Sequence, residues 1–170
     1  MFIVKSYVVK PEITITDISM VDKNPNDYFL EISQLNNNIS KSLNFNQLEG
    51  AVVIKYNKES ILNFRHWDYI EDFWHSLLNL VESILKNGEG KAPFPDQPTE
   101  IILTKLGRNL LRYTLTASKE HTIDLPKYEF LTALIGGAEH FFQSLIKFYP
   151  NSKFGLDRVK KLKQELNLNG

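Results

Sequence analysis

Four histidines, His66, His75, His121 and His140, are the side chains best suited to proton transfer or metal ligation, and the chain scatters them. No HExxH or His-x-His spacing connects them, so no zinc site is expected. Glu71 and His75 stand four residues apart and share a helical face. With Asp72 beside them they read as an exposed charge-assisted pair rather than an acid/base centre. Glu139 and His140 are adjacent, about 100° apart on a helix, and would meet the first pair only if two helices packed polar edge to polar edge. No Gly-x-Ser-x-Gly, P-loop or Ser-x-x-Lys pattern is present. The absence of cysteine removes thiol nucleophiles, thiolate metal sites and disulfides. The expectation is a chain with no catalytic residues, no metal and no cofactor.

The Gly136-Gly137 pair lies inside an otherwise helical stretch, where each glycine costs about 1 kcal/mol relative to alanine. Gly137 falls on the buried side with Ala133, Ala138 and Phe141, which predicts close backbone approach to another helix or to a sheet. A kink at the pair that opens a ligand pocket is the alternative, and it would make the protein a small-ligand binder or an enzyme.

The elements follow from periodicity. Residues 2–9, 12–18, 28–32 and 51–56 are rich in Ile, Val, Phe and Tyr and partly alternate, predicting half-buried antiparallel strands. Asn57-Lys58-Glu59 is expected to turn a hairpin into residues 60–64. Residues 67–86 form an amphipathic helix with Ile70, Phe73, Trp74, Leu77, Leu78, Val81, Ile84 and Leu85 on its apolar stripe. Asp68 and Glu71 have capping-box spacing and Gly88 supplies the stop. Residues 89–98 hold three prolines and can be neither helix nor central strand, with Phe94 as their anchor. A β-meander over 100–105, 110–117 and 121–125 precedes a second long helix over 126–149. Residues 156–166 space Leu156, Val159, Leu162 and Leu166 along one side, as a short docked helix or a basic tail. The fold class is α+β: antiparallel sheet packed on two long amphipathic helices plus a short C-terminal helix, in one domain over 1–170.

A length of 170 residues suffices to bury roughly 70% of the unfolded surface. The opening MFIVKSYVVKPEI lacks a basic region before an apolar run, which predicts no signal peptide. No stretch approaches the roughly 18 apolar residues of a membrane span, so a cytoplasmic protein is expected. Net charge is zero, unlike a nucleic-acid binder. The charges are nonetheless uneven: residues 65–100 carry three bases and seven acids, and residues 101–170 carry eleven and six. Such a dipole can orient a partner or a second copy of the chain in a homo-oligomer.

The segments Asp68-Tyr69-Ile70-Glu71-Asp72-Phe73-Trp74, Phe94-Pro95-Asp96-Gln97-Pro98, Leu125-Pro126-Lys127-Tyr128-Glu129-Phe130 and Gly137-Ala138-Glu139-His140-Phe141-Phe142 carry a resemblance. Over roughly residues 50–150 the chain resembles small uncharacterised bacterial α+β proteins of the kind suspected to be immunity partners in toxin systems. The resemblance supplies no catalytic residue. It implies a non-catalytic module that covers a cationic protein partner such as a toxin. The acidic middle region is the candidate surface: Glu71, Asp72, His75, Asn79 and Glu82 on the first helix, with Glu89 and Asp96 from the loop after it.

Overall fold

A computed structural model describes residues 1–168. Strand β1 (Phe2–Val9) leaves its sheet at Pro11-Glu12, where Glu12 takes a left-handed φ of 63°. Residues 12–18 therefore do not form the expected strand. The Asp17 carboxylate accepts the Ser19 amide at 2.9 Å and starts a short helix, α1 (Ile18–Lys23), instead. Helix α2 (Pro25–Tyr28) follows, and the next strand, β2, is trimmed to Phe29–Glu31. Asn36 caps α3 (Asn37–Ser40) by accepting the amides of Asn38 and Ile39, both at 3.0 Å.

Strand β3 (Glu49–Tyr56) is joined to β4 (Glu59–Leu62) by Asn57-Lys58, whose φ values of 48° and 77° are those a two-residue hairpin requires. Strand β5 (Asp68–Tyr69) adds to β3, and the first sheet runs β2-β1-β3-β4 with β5 beside β3. Pairing of Asp68 with Gly50 keeps residues 68–69 extended. Helix α4 (Ile70–Asn87) consequently starts after Tyr69, and the Asp68/Glu71 capping box does not form. Gly88, at φ 77°, ends α4 as expected, because only a residue without Cβ takes that conformation cheaply.

The second sheet is a meander of β6 (Glu89–Pro93), β7 (Glu100–Leu106), β8 (Leu110–Thr116) and β9 (His121–Pro126), in that order. β6 takes the first half of the proline-containing segment as an edge strand, where Pro93 withholds no ladder bond. Phe94 is buried and stacks on Phe73 with centroids 4.1 Å apart. Pro126 closes β9 and caps α5 (Lys127–Leu145), which is shorter than the expected helix. After a 3₁₀ turn at Pro150–Ser152, α6 (Lys153–Leu168) docks by burying Val159, Leu162 and Leu166.

Both sheets and α4, α5 and α6 contribute to one continuous apolar cluster. The two sheets are tied by the Tyr113 hydroxyl, which donates to the Ile61 carbonyl at 3.2 Å. Burial without a charged partner pushes that phenol far up from its ordinary value. α5 runs unbroken through Gly136-Gly137. A Cβ on Gly137 would fall 2.4 Å from Val4 Cγ1 of β1 and 3.1 Å from Trp74 Cη2 of α4, whereas one on Gly136 would meet nothing within 4 Å. The two glycines thus predict opposite outcomes. Gly136→Ala raises unfolding free energy by up to about 1 kcal/mol, and Gly137→Ala lowers it by about 1–3 kcal/mol through overpacking, both read from urea midpoints.

Candidate functional site

α4 presents the candidate surface, and the structure divides it into three parts. In the middle, Arg158 of α6 reaches across. Its Nη2 donates to Asn79 Oδ1 at 2.6 Å, and its Nη1 lies 3.2 Å from His75 Nδ1 and 3.4 Å from the His75 carbonyl. Glu82 accepts from Lys86 at 2.7 Å, with Arg158 3.8 Å away, and the Lys86 bond foremost holds its carboxyl below the usual range. His75 sits half-buried between the rings of Phe142 and Phe154, at 5.3 and 5.8 Å. Burial, then the Arg158 charge, pushes its pKa down. The acidic and basic segments seen in the sequence therefore partly neutralise each other within one chain.

Glu89 stands apart. It begins β6 at the C-terminal end of α4, which at 18 residues is about 27 Å long.

The third part is the N-terminal end of α4. Asp68, only 5% exposed, accepts the Tyr69 amide at 2.7 Å and the Asp96 amide at 3.0 Å. Gln97 donates to the Trp67 carbonyl from the same loop. These bonds hold residues 95–98 against β5 and fix the exposed Asp96 side chain beside the start of the helix. Glu49, opposite Tyr69 in the ladder, completes the rim of a recess of about 340 Å³ whose lining includes Trp67, Asp68, Tyr69, Asp96 and Gln97. Arg65 also borders it, but its guanidinium is taken by Asp22. Glu71 and Asp72 follow in the first turn, where carboxylates complement the helix macrodipole. Burial, and secondarily the Asp72 charge, pushes the Glu71 carboxyl up.

Structure thus brings Glu71, Asp72 and Asp96 to one end, places His75, Asn79 and Glu82 under Arg158, and sets Glu89 at the far end. Arg158 and Glu49 were not among the sequence candidates. Glu139 pairs with Lys163 of α6, so it does not meet Glu71 and His75. His121 Nε2 lies 3.7 Å from Glu59. Among the described residues, no three His, Asp or Glu side chains converge as a metal site. A cavity of about 470 Å³ does adjoin α5, at Tyr128, Glu129, Thr132 and Ala133 rather than at the glycine pair. No helix among the described residues is long and apolar enough to cross a membrane. No protein-family model, curated protein or solved structure matches the chain.

His66 and His75 both have pKa values pushed below the ordinary 6.5, in each case chiefly by burial. Unfolded imidazoles then bind protons that folded ones do not, so this stability is complete above about pH 6.5 and is lost as pH falls below it. Glu71 has the opposite sign: raised above 4.5, it favours the fold at low pH and costs stability as pH rises. Melting temperature is expected to fall from about pH 7.5 to 5.5, less steeply in a His66→Gln, His75→Gln variant. Glu71→Gln is expected to raise it at pH 7 and leave it unchanged near pH 4.

Proposed function

We propose that this chain is a non-catalytic binding module that captures a cationic protein through its acidic end, as an immunity protein covers the basic site of a toxin in a bacterial cytoplasm. The observation that carries this reading is the position of Glu71. A partly desolvated carboxylate beside Asp72, with no base among the described residues in ion-pair range, is destabilising at neutral pH. A lysine or arginine arriving from a partner would relieve it.

Glu49, Asp72 and Asp96 likewise have no ion-pair partner among the described residues, while Glu82 and Glu139 are already neutralised by α4 and α6. Unpaired rim carboxylates accelerate encounter with a basic patch and make the rate fall with salt. The fixed loop at Asp96 and the helix start at Glu71 form a preorganised surface, which lowers the entropy lost on binding.

The test is capture of partner proteins on the tagged chain from its host lysate, followed by stopped-flow association with whatever is retained. Asp72→Lys, Asp96→Lys is expected to slow association at least about tenfold and flatten its salt dependence, with the melting temperature unchanged or raised. Glu82→Lys is expected to do the reverse, lowering the melting temperature by loosening α6 while sparing association. Retained association in the Asp72→Lys, Asp96→Lys variant would discard the acidic end.

A further inference from the structure

A second charged surface lies at the opposite end of α4. The β7–β8 turn and the start of α5 enclose a recess of about 700 Å³ that Lys105, Arg108 and Lys127 line together. No carboxylate among the described residues is within ion-pair distance of any of the three. On the neighbouring strands the charges do pair, as in Arg112 with Asp124 at 2.9 Å. Two large apolar side chains stand in the same recess, Leu110 at 45% and Tyr128 at 47% exposure. Glu129 is the acid on its rim.

Pro126, Tyr128 and Glu129 also border the cavity of about 470 Å³ lined by Met1, Phe2, Tyr56, Thr132 and Ala133. The two recesses share that wall, one cationic at the turn and the other more apolar toward β1. A free anion would use only the first, and an apolar ligand only the second.

We infer that the cationic recess is a docking groove for an acidic peptide segment of another protein, its carboxylates on Lys105, Arg108 and Lys127 and an apolar side chain between Leu110 and Tyr128. The polarity is opposite to that of the acidic end, so the site is separate from the one proposed above and stands without it.

The probe is a displayed library of random twelve-residue peptides selected on the full 170-residue chain given by the sequence. Selected sequences are expected to be rich in Asp and Glu around a Leu, Phe or Tyr. Synthetic copies should bind at least tenfold more weakly to Arg108→Glu, Lys127→Glu, and again more weakly to Tyr128→Ser, each checked for an unchanged melting temperature. Lys160→Glu, on the exposed face of α6, and Asp72→Lys, Asp96→Lys should bind them as the parent does. Selected peptides without acidic excess, or acidic ones indifferent to the Arg108 and Lys127 reversals, would overturn the inference. So would light scattering that shows concentration-dependent self-association abolished by Arg108→Glu, since the occupant would then be a second copy of the chain.

Discussion

Trp74 is where α4, α5 and β1 meet, and the remaining architecture follows from how tightly they meet there. Its indole N–H donates to Ser6 Oγ at 2.9 Å, which joins helix to strand with a satisfied polar pair in the core. Leaving either group unpaired would cost about 1–3 kcal/mol. On the other side of the ring, α5 comes so close that residue 137 has no room for a Cβ beside Val4. Phe141, one turn further along α5, stacks against Trp74 with centroids 6.1 Å apart. A bulkier residue at 137 would lift α5 off both neighbours and with it the platform on which α6 docks.

Because the buried face of α4 is wide, few of its positions are left for polar contacts, and α6 takes the central ones. The Arg158 fork spans His75 and Asn79, a geometry that lysine could not reproduce. Arginine is only a donor, so the contact at 3.2 Å requires His75 Nδ1 to accept and its proton to sit on Nε2. That assignment agrees with the downward pKa of His75, since burial first and the like charge of the guanidinium second both disfavour an imidazolium there. His75 therefore helps seat α6 as a neutral ring.

Periodicity made the two long helices and the meander legible, because each buries one face against a single core. It misread residues 12–18: Ile13 and Ile15 alternate as strand residues do, yet the left-handed Glu12 and the Asp17 cap end the strand before them. Asp68 fits a capping box in sequence, but a backbone pairing with Gly50, 18 residues away, makes it a clasp for the Asp96 loop instead. For the site, the charge asymmetry was visible and its resolution was not. Nothing local in residues 71–82 indicates that Arg158 lies over them, since that contact spans 79 residues to Asn79. The cationic groove escaped for the same reason: Lys105, Arg108 and Lys127 belong to a turn and a helix start that only the meander brings together.

The two charged surfaces are held apart by the same elements that form the core. The Lys105 amide donates to the Gly88 carbonyl at 2.8 Å, which fixes the C-terminal end of α4 at the cationic groove. Phe94 on Phe73, and Asp96 on Asp68, fix its N-terminal end at the acidic rim. The separation is about the 27 Å length of an 18-residue helix, against a screening length of about 8 Å at physiological ionic strength. Each end is thus electrostatically independent of the other, and a net charge of zero describes neither. A partner drawn to one end gains and loses nothing from the other, so the chain has room for two contacts of opposite sign. If copies of the chain met acidic end to cationic groove, the interface would be heterologous and would extend unless its rotation closed a ring. An open assembly of that kind would be arrested wherever either end was held by a different occupant.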